Sequence, residues 1–341
     1  MAAGGATGQA APDWVRIAGG PGTSCSQDSS YSFFFHPGDE RRLVIFFQGG
    51  GACWNSRNCD LQGQPTFDPQ VDTTDDPGPQ AGLLDLANSR NPIRDYIVVF
   101  APYCTADVFL GARTVSYSTT GSMDTAGRRF RIRHSGLANA SRVLAWVYDH
   151  FAKPSLVFVT GSSAGAIPTP LYASRVAQHY PRARVVQLGD GAGGYRAEAI
   201  PGILAQWGAT SALKRDPAYR AIDSATLTFE TLYAVAARTT PRVAFAQYNS
   251  AEDNVQLSFL SMLGVHDVPL AQLLAGNHAD IRHINPAFMT FTAPGHMHTV
   301  LLRPQFYTLA VDGIAIRDWV AGLLEGKPLS DVGQSLLADG P

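Results

Sequence analysis

The sequence predicts a mainly parallel, doubly wound α/β sheet, and three observations carry that expectation. Apolar runs of strand length recur along the chain, helical patterns fall between several of them, and the runs are mostly continuous rather than alternating. Strands covered on both faces lack a solvent side to be marked by polar residues, and strands alternating with helices build parallel sheets.

The strand candidates, in order, are "LVIFFQ" (43–48), "YIVVF" (96–100), "LVFVTG" (156–161), "RVVQLGD" (184–190), "RVAFAQY" (242–248) and "AFMTFTA" (287–293). Helical patterns cover 135–151, with Ser135 as N-cap, 164–180, and 312–326, ended by Gly326. Residues 60–90 are polar and rich in Pro and Asp, and read as a surface excursion. Residues 197–240 are too long for an ordinary connection and carry helical periodicity, which predicts a cap or lid. The last ten residues read as a loose tail. The expected organisation is one domain over 1–341 with its cap at 197–240.

Composition narrows the function classes. The chain has 341 residues, 45% hydrophobic and 16% charged, with a formal charge of −2. That balance favours neither nucleic acid nor an anionic membrane surface as partner. No apolar run reaches the roughly 18 residues of a membrane span. The start, "MAAGGATGQAAPDW", lacks the basic and apolar regions of a signal peptide and reads as a mature N-terminus with an added Met. A small-molecule or polymer substrate is the expected partner, with no cofactor; the sequence is silent on oligomeric state.

Four cysteines, Cys25, Cys53, Cys59 and Cys104, lie in the first third without metal-site spacing. Two disulfides are the economical arrangement: Cys53 with Cys59 across a short loop, leaving Cys25 for Cys104. Such bonds imply a secreted or periplasmic protein; the alternative is four reduced thiols.

"VTGSSAGAIP" (159–168) has the G-x-S-x-G form, with a strand before it and a helix after it. That is the context of a nucleophile elbow in the α/β-hydrolase fold, and it nominates Ser163. A hydroxyl needs a nearby base, and in this fold the acid and then the histidine follow the serine. "NSAEDNVQ" offers Glu252 and Asp253, and "TAPGHMHTV" offers His296 and His298. His-x-His as a metal site lacks carboxylate or cysteine partners nearby. His134, His150 and His179 read as surface or capping groups, and His266, His278 and His283 fall in a polar region. "FFQGGGACW" supplies Gly50 and Gly51, which with the Ala164 amide would form an oxyanion hole.

Together these blocks resemble the pectin acetylesterase and Notum branch of α/β hydrolases. The likeness runs from Cys25 to about Trp319 through "FFQGGGACWNSRNC", "APYCTADVFLGA", "GSSAGA", "AEDNVQ" and "GHMHT". It implies Asp253 as the acid, three positions before Gln256, and His298 as the base. It also implies the same two disulfide pairs. Gln48 stands where relatives often have an acidic residue, and Gly51 and Ala52 replace an aromatic-bearing stretch.

The chain is similar as well to secreted bacterial hydrolases of oxidised polyvinyl alcohol, and a neutral polymer suits its weakly charged surface. The expected function is therefore a secreted Ser-His-Asp hydrolase working through an acyl-enzyme and cleaving the carbon–carbon bond of a β-diketone. Two alternatives stand beside it: a carboxylesterase or deacetylase acting on a polysaccharide such as pectin or on a lipidated substrate, and a catalytically silent binding protein on the same scaffold. Pectin is polyanionic, and "RRFRIRH" (128–134) is the one arginine cluster available to meet it, or else a solvated connection.

Overall fold

A computed structural model describes residues 14–120 and 127–338. The first thirteen residues, on which the expected mature N-terminus rests, and residues 339–341 of the tail lie outside the described residues.

The sheet strands are β1 (Val15–Ala18), β2 (Ser32–His36), β3 (Asp39–Phe47) and β4 (Tyr96–Ala101), then, beyond a separate hairpin of β5 (Arg113–Ser118) and β6 (Arg129–His134), β7 (Leu156–Ser162), β8 (Arg184–Asp190), β9 (Ala244–Ser250) and β10 (Met289–Ala293). Their spatial order is β1-β2-β4-β3-β7-β8-β9-β10. Neighbours from β4 through β10 are parallel, and β2 runs antiparallel to both β1 and β4. This is the mainly parallel α/β-hydrolase architecture.

The helices are α1 (Ser56–Cys59), α2 (Gly136–His150), α3 (Thr169–His179), α4 (Ile200–Gln206), α5 (Ala209–Leu213), α6 (Pro217–Arg220), α7 (Phe229–Thr239), α8 (Asn254–Met262), α9 (Leu270–Ile284), α10 (Ile316–Glu325) and α11 (Ser335–Ala338). Residues of β3 show why the predicted strands are continuous. Leu43, Ile45 and Phe47 point into the core beneath α2, α3 and α7, while Val44 and Phe46 point into the core beneath α10. All five are fully buried.

Several expectations need correction. Ser135 holds the N-cap position of α2 as expected, but its hydroxyl makes no capping bond: it donates to the Ser24 carbonyl, and buried Asp107 accepts from the Gly136 amide instead. The helix expected from 164 starts at Thr169, after a single tight turn over Ser163–Gly165. "RFRIRH" is not a solvated connection but strand β6: Arg129, Arg131 and Arg133 face solvent while Ile132 and His134 face inward, and Arg133 lines a surface groove with Arg113 and Arg215. His134 is thus a core residue, held by Tyr117 and the Thr105 carbonyl, with burial pushing its pKa down to about 4. The described start of the tail is not loose, since Val332 is buried and bonds through its amide and carbonyl to Thr290 and Thr292, extending the sheet past β10.

Candidate active site

Strand β7 ends at Ser162, and Ser163 follows in the left-handed region at φ +54°. A non-glycine residue there is strained by about 1–3 kcal/mol, and the strain holds the side chain up at the strand end. The flanking glycines are required by close approach. A Cβ on Gly161 would lie 2.4 Å from the Gly165 carbonyl oxygen, and one on Gly165 would lie 2.1 Å from that of Phe47. The small residues of the motif therefore let the turn pack directly on the backbone at the end of β3.

Past β9, Asp253 is the N-cap of α8: its Oδ1 accepts from the amides of Val255 (2.9 Å) and Gln256 (3.0 Å). Its Oδ2 lies 2.7 Å from His298 Nδ1 and 3.1 Å from Gln256 Nε2. Asp253 is fully buried, and Gln256 is anchored in turn by the Gly194 amide and by Asn249. A carboxylate on Nδ1 leaves the lone pair on Nε2, and that nitrogen is buried with no hydrogen-bond partner among the described residues. Glu252 and His296 pair instead with each other, 3.2 Å apart, with both side chains about 60% exposed. The two neighbouring acid and histidine pairs are thus sorted by burial, one in the fold and one on its surface.

The glycine loop lies against the elbow. A Cβ on Gly49 would come within 2.9 Å of Ser163 Cβ, and one on Gly51, at φ +75°, within 1.9 Å of the Thr66 carbonyl oxygen. A bridge to residues 66–68 uses the Gly50 carbonyl and the Ala52 amide, and leaves the Gly50 and Gly51 amides outside it. Both expected disulfides are formed: Cys53–Cys59 closes the loop after the glycines, and Cys25–Cys104 ties the N-terminal segment to the loop after β4. Gln48 accepts from the Tyr103 amide and is not part of the cavity wall.

A cavity of about 430 Å³, mouth included, opens at Ser163. Gly51 and Ala164 sit at its base with the serine, and Trp54, Tyr195, Trp207 and Phe259 are among its walls. Helices α4 and α7 contribute Ile200, Ile203 and Phe229. Among the described residues, no lysine, arginine or carboxylate lines it. Trp207, just past α4, donates from its indole nitrogen to the Cys53 carbonyl at 2.8 Å, which fastens this helical segment to the disulfide loop.

Asp190 was not legible as a site residue. It ends β8, is fully buried, and accepts from the Ser162 hydroxyl and from the amides of Val300 and Leu301. The one available signal was an aspartate closing an apolar strand, which many turns also show. His278, expected in a polar region, is buried on α9 with its pKa pushed down to about 3 by desolvation. Among the described residues, no three His, Cys, Asp or Glu side chains converge as metal ligands.

A model of the pectinacetylesterase family matches residues 10–199, more than half of the chain. Palmitoleoyl-protein carboxylesterase NOTUM from Homo sapiens is 27% identical over 180 residues, covering 49% of this chain and 33% of that protein. The Mus musculus protein of the same name is 28% identical over the same extent, and that of Schmidtea mediterranea is 28% identical over 163 residues, or 45% of this chain and 28% of its own. The matched region spans about a third of the length of these curated relatives. The glycine loop, the elbow and the disulfide frame all lie within the matched residues, and the chain belongs to the pectinacetylesterase family.

Proposed function

We propose that the protein is an extracytoplasmic carboxylesterase that cleaves esters of apolar acyl groups longer than acetyl. The carrying observation is the cavity at Ser163, whose walls are mainly aliphatic and aromatic and, among the described residues, hold no cation for a uronate. Membership in a family named for an esterase, and relatives named carboxylesterases, move ester cleavage ahead of the β-diketone reaction expected first from sequence. Two disulfides support an oxidising compartment.

In this mechanism His298 Nε2 takes the Ser163 proton as Oγ attacks the ester carbonyl. The amides of Gly50, Gly51 and Ala164 receive the oxyanion, and Asp253 holds the imidazole tautomer and stabilises the imidazolium. The imidazolium returns its proton to the departing alcohol. Water, deprotonated by His298, then attacks the acyl-enzyme, and the carboxylic acid leaves with Ser163 reprotonated. Residues 197–240 act as the cap of a single hydrolase domain, and their α4 and α7 side chains select the acyl group.

The test is a series of p-nitrophenyl esters from acetate to octanoate, with a linear 1,3-diketone in parallel. Each buried methylene contributes about 0.8 kcal/mol, so kcat/KM is expected to rise roughly fourfold per added methylene over the first few. A preference for acetate would contradict the acyl-pocket assignment. Diketone turnover without ester turnover would restore carbon–carbon cleavage.

A further inference from the structure

Asp190 is a fully buried carboxylate whose hydrogen bonds reach two separate parts of the site. Strands β7 and β8 place it in register with Ser162, whose hydroxyl donates to its Oδ2 at 2.8 Å. The same oxygen accepts from the Leu301 amide at 2.9 Å and the Val300 amide at 3.1 Å, and Oδ1 lies 3.0 Å from the Val300 nitrogen. We propose that Asp190 is a positioning residue that holds the nucleophile elbow and the base loop in one fixed relation.

The backbone gives the reason such a clamp is needed. Ser163, next to Ser162, and Thr299, between His298 and Val300, both sit in the left-handed region, at φ +54° and +62°. Each costs about 1–3 kcal/mol and persists only where the surroundings over-determine it. One carboxylate holds the residue before the first strained position and the two residues after the second. The following residue, Gly191, packs on Thr299 so closely that a Cβ there would come within 2.9 Å of Thr299 Cγ2. Serine and histidine must meet within a fraction of an ångström, and misplacement by about 1 Å costs on the order of 100-fold in rate.

Burial pushes the Asp190 carboxyl up to about 6, and its hydrogen-bond donors oppose that rise. His298 also faces it electrostatically, as does the Tyr248 phenol. The other charged groups on His298 are Asp253 at Nδ1 and Arg303, whose Nε donates to the His298 carbonyl. Ionised Asp190 accepts all its donors; once protonated, it turns one oxygen into a donor facing donors. The clamp therefore weakens as pH falls through about 6.

The proposal rests on the serine-hydrolase assignment, so Ser163→Ala is measured first and sets the baseline; residual full activity there defeats that assignment rather than the clamp. Asp190→Asn keeps the shape but loses the charge and one acceptor. Its kcat on the octanoyl ester is expected to fall roughly 10- to 100-fold with KM within about twofold. The acid limb of log kcat/KM is expected to show an added downward step as pH falls through about 6 in the wild type, where Asp190 takes a proton, and to lack that step in the variant. Ser162→Ala removes only the elbow-side bond, so kcat should fall about threefold to tenfold with the added acid step retained. Unchanged kcat in both variants overturns the proposal, as does a loss in which KM and thermal midpoint degrade in step with kcat. If Asp190→Asn does not fold, Ser162→Ala decides alone: kcat within twofold of wild type overturns the clamp.

Discussion

Two adjacent acid and histidine pairs, 252 with 296 and 253 with 298, differ in one physical respect, burial. Asp253 sits at the N-terminus of α8 with its carboxylate held by two amides, Gln256 and His298, so it keeps one imidazole in one tautomer. Asp253→Asn is expected to lower kcat about 10⁴-fold, through the wrong tautomer and an unsupported imidazolium, with little change in thermal midpoint. Glu252→Gln and His296→Ala, on an exposed pair worth at most about 1 kcal/mol, are expected to leave kcat within twofold. Residue type and spacing nominate all four positions, and the family resemblance selects Asp253 and His298; which side chain turns inward is a property of the α8 cap and the loop after β10. Asp190 was invisible for the same reason, because its donors lie 28 and about 110 positions away.

Among the elements, those that read clearly in the sequence are those whose neighbours cover both faces. The boundaries of β8 match the apolar run at 184–190, and β7 extends its run by one residue. By contrast, β1 is short and half-exposed, and β6 spends every second position on an outward arginine, so neither gives a continuous apolar run. The segment 197–240 shows helical periodicity, but its division into α4, α5, α6 and α7 depends on contacts with the rest of the fold. Trp207 is the most informative of those contacts, since it is 2% exposed, lines the cavity and is bonded to the disulfide loop. Trp207→Ala is expected to destabilise the protein by about 3–5 kcal/mol and to cut kcat/KM for octanoate more than for acetate. Equal losses on both esters would separate Trp207 from acyl selection.

At the scale of the molecule, the Cys25–Cys104 bond closes a loop of 79 positions around the glycine-loop half of the site. Chain entropy assigns such a loop roughly 4–5 kcal/mol, so the double serine variant is expected to unfold at markedly lower denaturant, measured by urea titration. A variant as stable as wild type would mean that the frame is held by packing alone. The glycine loop, Ser163, Asp253 and His298 all lie just past the C-terminal ends of parallel strands, and the helices over them leave an apolar cavity at the serine. The apolar strands of the parallel sheet, the short Cys53–Cys59 loop and the G-x-S-x-G turn were accessible to sequence reasoning because each has a local signature, whereas β1, β2 and the spatial order of the strands were not read. The cavity at Ser163 was not accessible either, because it is assembled from side chains between Gly51 and Leu263 that share no pattern. The measurement that tests the account most directly is peptide mass analysis of protein quenched during turnover of p-nitrophenyl octanoate. An octanoyl adduct on Ser163, absent in Ser163→Ala, is the expected result. Ester turnover with the adduct on another residue, or with none formed in the burst, would contradict it.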